Sequence, residues 1–506
     1  MSRKQDLDWS FGLRNKAGKY LTAEAFGYKI VCAAKVMKKK QTWFLETNDD
    51  PAKDTVYIRS HLGKYLTVDG NGKFTGDGDA AGDEQEFVIE AQADGRWALK
   101  SMLFGWYAGG TGERLTAFTK DIAEDRLWVV RLAMHPMVTI RNVKRQAFMH
   151  LDDVKGDSIT TNEIIPWGHD AVLSLHFFDN GTYGIQTSTG SFLSVSGSLS
   201  AEADDNCQFV LDFHGGVVSF KSKTSGNYVT SLGKEGLCKA TKKTVTDDER
   251  YELQNSYPQV TLQSSNGKLL SIKQGIEVAA SQSLAEGVTD REIWQLEPLG
   301  GDKWTVKGST DKLWVAKQPE KKGEKMGLHC EADPIPGSID EVDPQDIFTL
   351  EFYGNSIAFK AVNGKYVAQE MNGYIKPTAT EASAGANSLF EFTLVNRPTI
   401  ALRGEHGFIN TLPSGLLECN KAEAELYKMH TSGGMVALQH IGTGKFWKVG
   451  ANGISANGDV GEFYELELFQ NSKLTLKYKG AYFKGQQNGA YTATGTEPDK
   501  SALFEY

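Results

Sequence analysis

Gly18-Lys19-Tyr20-Leu21-Thr22 returns as Gly63-Lys64-Tyr65-Leu66-Thr67, and this phrase decides the fold. Looser copies fall around Tyr107, Phe148, Phe192, Tyr228, Leu269, Leu313, Tyr366, Phe408, Phe446 and Tyr482, so twelve units lie between Tyr20 and Tyr482 at about 42 residues per step. A period of that size determines architecture before any single element does. Between the copies runs a second phrase, an aromatic followed two residues later by an apolar residue. Examples are Trp43-Phe44-Leu45, Phe87-Val88-Ile89, Trp128-Val129-Val130, Trp294-Gln295-Leu296 and Tyr464-Glu465-Leu466. Alternation at period two, bounded by Gly, Asn and Asp, predicts half-buried strands joined by hairpins. Because the aromatic of the first phrase recurs in every unit, it is expected to be a core position rather than a ligand contact.

Three similar junctions interrupt the series: His135-Pro136-Met137-Val138, Tyr257-Pro258-Gln259-Val260 and Arg397-Pro398-Thr399-Ile400. They group the units by threes, which favours an all-β chain of four tandem β-trefoils over a propeller, whose blades have similar length but no such grouping. The expected trefoils span residues 1–136, 137–257, 258–397 and 398–506. The third carries an acidic loop insertion near 331–346, the default reading of its Pro-bearing polar stretch. Composition agrees: Gly is 53 of 506 residues and Pro only 13, as many hairpin turns and few rigid linkers require.

Chemical motifs are sparse. The five cysteines form no CxxC pair, which supports neither a zinc site nor a disulfide framework and points to a reducing compartment. The first eight residues lack the apolar core of a signal peptide, and no run of about 18 apolar residues follows, so a cytoplasmic chain without membrane insertion is expected. No HExxH occurs, and no Gly-Lys pair is followed by Ser or Thr as in a phosphate-binding loop. Gly76-Asp77-Gly78-Asp79-Ala80-Ala81 has dinucleotide-site spacing but no helix pattern after it. His61, His150 and His176 stand in no triad or metal grouping. We therefore expect no catalytic residue, no metal and no cofactor.

The net charge of −9 excludes a nucleic-acid protein that binds by broad phosphate neutralisation. Residues 1–40 nevertheless carry ten basic and three acidic groups, including Lys35 and the run Lys38-Lys39-Lys40. Such a local basic surface suits an acidic protein partner.

Longer motifs give a resemblance. Phe11-Gly12-Leu13, Lys19-Tyr20-Leu21-Thr22-Ala23-Glu24-Ala25-Phe26-Gly27, Lys38-Lys39-Lys40-Gln41-Thr42-Trp43, Ala133-Met134-His135-Pro136, Ile165-Pro166-Trp167-Gly168 and Arg403-Gly404-Glu405-His406-Gly407-Phe408-Ile409 together resemble fascin. That family consists of actin-bundling proteins built from four trefoils arranged as two lobes. The resemblance implies a monomer that cross-links parallel F-actin through at least two separate surfaces, in the actin cytoskeleton of filopodia-like protrusions. It implies a major surface where the first and fourth trefoils meet, with Lys19, Lys38 and Lys40 from one and Arg403, Glu405 and His406 from the other. Glu405 would meet a basic actin group or orient Arg403. Arg145, beside Arg141 and Lys144, and Lys268 with Ser271 match further family positions. Departures point to a diverged or invertebrate member: Val36 replaces a regulatory serine, Leu412-Pro413 a basic pair and Glu370-Met371 a lysine pair. The alternative is a carbohydrate-binding trefoil, for which Gln41-Thr42-Trp43 is the single Gln-x-Trp of the lectin type.

Overall fold

The structure is a computed structural model. It describes residues 10–506 except 49, 51–52, 54, 113–114, 153–155, 215, 318–325, 335–340 and 383–386. The signal-peptide expectation and the centre of the predicted insertion, 335–340, lie outside the described residues. The described residues form strands and short 3-10 turns, with no α-helix. The strands build four antiparallel sheets, spanning Ser10 to Leu132, Met137 to Gln254, Gln259 to Leu394 and Thr399 to Glu505.

The first sheet shows the plan. Six strands pair in a closed ring: Ser10–Arg14 with Trp43–Thr47, then Val56–Ser60, Glu86–Ala91, Trp97–Ser101 and Leu127–Leu132, which returns to the first through Phe11↔Leu132. Three hairpins stand off this ring, one of them Tyr20–Ala23 with Ile30–Ala34. A closed six-strand barrel carrying three hairpins is a β-trefoil, and closure removes the free edges that invite strand addition. In the fourth sheet the opening strand is split into Thr399–Ile400 and Arg403–Gly404, and the second piece pairs with the hairpin strand Gly407–Thr411.

Each copy of the repeated phrase lies on the second strand of its unit, and the residue after its aromatic or leucine is the most deeply buried. Leu21, Leu66, Ala108, Met149, Leu193, Val229, Leu270, Trp314, Val367, Ile409, Trp447 and Phe483 have no exposed surface. The preceding aromatic or leucine points to the other face, because side chains alternate along a strand. There a tyrosine hydroxyl donates to a carboxylate of the adjoining barrel strand: Tyr65 to Glu46 at 2.8 Å, Tyr107 to Glu90 at 2.7 Å, Tyr228 to Asp212 at 2.6 Å and Tyr366 to Glu351 at 2.9 Å. Lys100, Lys221 and Lys360 lie over three of these rings, adding cation–π attraction. The expected core aromatic is buried in most copies, among them Tyr20, Tyr107, Phe148, Phe192, Tyr366 and Phe408, but on the strand face opposite the fully buried residue that follows it.

The aromatic of the second phrase is buried, and it latches the hairpin to the barrel. The indole N–H groups of Trp43, Trp128 and Trp294 donate to the carbonyls of Leu21, Ala108 and Leu270 at 3.0, 3.1 and 3.2 Å. The hydroxyls of Tyr251 and Tyr427 make the same bond to Val229 and Ile409. Each gives a buried side-chain donor a backbone acceptor.

By contacts the described residues divide into two compact units, one of 10–164 with Leu173–Gln254, the other of Ile165–Val172 with Asn255–Tyr506. In the first unit each sheet encloses its own core cluster. In the second, one continuous cluster runs from Val260 to Tyr506 through both sheets. The short segment Ile165–Val172 is fixed there by buried Gln259, whose amide donates to the Pro166 carbonyl at 2.9 Å and accepts from the Gly168 N–H at 2.8 Å.

Candidate interaction surfaces

The lysine run begins where the second hairpin strand of the first unit has ended. Lys38 precedes a 3-10 turn, Lys39–Gln41, and Gln41 is the only buried residue of that turn. Its side-chain carbonyl accepts from the Lys38 N–H at 3.0 Å, while its amide donates to the Thr22 hydroxyl at 3.1 Å. One buried glutamine thus fixes the turn, and Lys38, Lys39 and Lys40 all face solvent. Lys40 pairs with Glu24 at 2.7 Å, and an exposed pair of this kind contributes at most about 1 kcal/mol. The cluster's field is felt by His61, whose imidazole is pushed down by burial first and then by Lys39 and Lys40. Lys19 sits half-buried beside the turn residue Asn15, which binds the Lys19 backbone in both directions. Val36 is exposed and carries no hydroxyl.

The lectin-type motif is consumed by this architecture. Gln41 is spent on the turn, and Trp43 is fully buried with its N–H on Leu21, so neither side chain faces a ligand.

The fourth-trefoil residues occupy a two-residue hairpin. Gly404 pairs with Gly407 and Arg403 with Phe408, leaving Glu405 and His406 as the turn. Gly407 is required here: its φ is +139°, and a Cβ would lie 2.4 Å from the Lys421 carbonyl oxygen. Arg403 is oriented by Glu505, not by Glu405, with Nε and Nη2 on one carboxylate oxygen at 2.8 and 2.6 Å. Its guanidinium also lies 5.5 Å from the Phe408 ring. Glu405 is exposed at the tip.

The remaining positions fare differently. Arg145 donates to the carbonyls of Ser231, Gly233 and Lys234, so its guanidinium braces a neighbouring turn while Lys144 faces solvent. Lys268 is exposed at the start of its strand. Ser271 is buried, with its hydroxyl on Glu292 at 2.5 Å. It stands where Thr22 and Thr67 stand in their units, each held by the turn residue Gln41 or Gln85. Spacing from the repeated phrase marks all three as parts of one recurrent brace. The sequence reading missed Glu505, which orients the Arg403 side chain, and took Gln41 for a lectin-type motif residue where it fixes the lysine turn.

No group of three or more His, Cys, Asp or Glu among the described residues could hold a metal ion, and no described helix is long and apolar enough to cross a membrane.

Comparison with known proteins places this geometry. The family model described as the fascin domain matches residues 17–130, 138–253 and 335–431. The chain is 31% identical to Fascin-2 of Mus musculus, with 99% of each chain covered, and 30% identical to Fascin of Strongylocentrotus purpuratus at the same coverage. Fascin-3 of Homo sapiens is 22% identical over 99% of this chain and 97% of its own length. With family matches across more than half its length and relatives at 30% identity or better from end to end, this chain belongs to the fascin family.

Proposed function

We propose that this protein binds and bundles actin filaments as a cytoplasmic monomer, cross-linking parallel filaments in protrusions such as filopodia. The observation that carries the reading, beside family membership, is the Lys38–Lys40 turn: three exposed lysines on a backbone turn fixed by one buried glutamine. Preorganised cations complement an acidic partner at no ordering cost to the backbone and accelerate encounter. Lys19, Lys38 and Lys40 act as contacts in the first trefoil, Glu405 and His406 at the hairpin tip of the fourth, and Lys268 in the third. Arg403, Arg145 and Ser271 act mainly by shaping the turns that present them. Cross-linking requires at least two separate surfaces, since one merely decorates a filament, and avidity over a filament lattice multiplies weak single contacts.

Low-speed sedimentation with F-actin tests this. The wild-type protein is expected to carry actin into the pellet, and Lys38→Glu with Lys40→Glu to reduce that at least several-fold, with both proteins weakening as salt rises. A wild-type protein that leaves filaments in the supernatant at low salt overturns the proposal.

A further inference from the structure

Beside the lysine turn stands an aromatic residue that its charge does not explain. The hairpin Tyr20–Ala23 and Ile30–Ala34 is closed by the Glu24 N–H on the Lys29 carbonyl at 2.9 Å. The loop between is a 3-10 turn, Phe26–Tyr28, with no buried residue. Phe26 at its tip is 90% exposed. The turn is not a loose end: Gly27 has φ +67° and Tyr28 φ +48°, and a left-handed tyrosine persists only where surrounding structure enforces it. That enforcement is visible. The Tyr28 ring has the Lys64 ammonium 5.1 Å from its centroid, Lys64 is tied to Asp79, and the Tyr28 carbonyl backs onto Gly76 of the next hairpin. Lys40 reaches the same tip through Glu24. A solvated phenyl ring is thus carried on a strained, braced turn that Lys29, Lys40 and Lys64 adjoin, with Glu24 and Asp79 as their acidic partners.

An exposed apolar residue alone says little. An exposed aromatic on a fixed turn, with charged side chains on the adjoining segments, suits an interface hot spot, in which the ring fills a pocket and the rim excludes water. We propose that Phe26 is the apolar anchor of the lysine surface, seated in an apolar cleft on an acidic face of the actin filament. This rests on the actin reading above and adds to it: charge supplies encounter and orientation, while the ring supplies residence time.

The test measures F-actin affinity of wild type, Phe26→Ala, Phe26→Trp and Lys38→Glu/Lys40→Glu across a salt series, with melting temperature as the fold control. Phe26→Ala is expected to melt with wild type and to bind about tenfold or more weakly, its salt dependence unchanged, while Phe26→Trp retains affinity. The lysine variant is expected to bind more weakly with a shallower salt dependence instead. A Phe26→Ala protein that binds as tightly as wild type overturns the anchor and leaves the actin reading intact. A wild type that does not bind F-actin removes both. Phe26-dependent capture by phosphatidylserine vesicles, without any Phe26 effect on F-actin, also overturns the proposal and assigns the tip to an acidic membrane.

Discussion

At the residue scale the decisive objects are small braces repeated along the chain. The Trp294 indole holds the Leu270 carbonyl across the core of the third trefoil, within edge-on distance of Trp314. Trp294→Phe removes the donor and leaves a cavity, so it is expected to destabilise that unit by about 2–4 kcal/mol, read from the urea midpoint. The repeated phrase itself was legible in the sequence, and its strand character with it. What alternation could not reveal was which of Tyr20 and Leu21 faces inward, because both are apolar enough for either side of a strand. Both are buried, the leucine in the main core cluster and the tyrosine on the other face of the strand. Ser271 was legible in a different way: it lies two residues after Leu269, as Thr22 lies two after Tyr20. The Arg403–Glu505 pair had no local signal at all, since 102 residues separate the partners.

At the element scale the 3-10 turns before the barrel strands set the surface chemistry. Asp346 ends one such turn, Pro344–Asp346, and is buried. Burial first, then Asp343 and Glu331, raise its carboxyl to about 7. A carboxyl whose folded value exceeds its unfolded one binds its proton more tightly in the native state, so stability falls as pH rises from about 4 to about 7. The urea midpoint of residues 255–506 is therefore expected to drop across that window, and Asp346→Asn to flatten the dependence. An unchanged slope in the variant would assign the effect to another group. None of this was visible beforehand, because the sequence marks this stretch only as an acidic insertion, and acidic loops are ordinarily solvated.

At the scale of the molecule, the four barrels differ in how their interiors are divided. The first two have separate apolar clusters, whereas the third and fourth share one. Residues 255–506 expressed alone are expected to unfold in one step, with tryptophan fluorescence and circular dichroism superimposing; two resolved steps would show separable cores. That fragment also lacks Ile165–Val172, so Gln259 loses the backbone partners it holds at Pro166 and Gly168. The all-β trefoil class could be read from period and grouping, but a shared interior could not, since it depends on which buried faces meet. One further property follows from the five cysteines, all buried and unpaired, with every thiol pushed up by burial, Cys32 to about 12. A protonated, enclosed sulfur is expected to react slowly with maleimides, which labelling of the native protein measures. The chain is in effect a blank background for site-directed labelling, in which one cysteine introduced at an exposed residue such as Lys268 would carry a fluorophore alone.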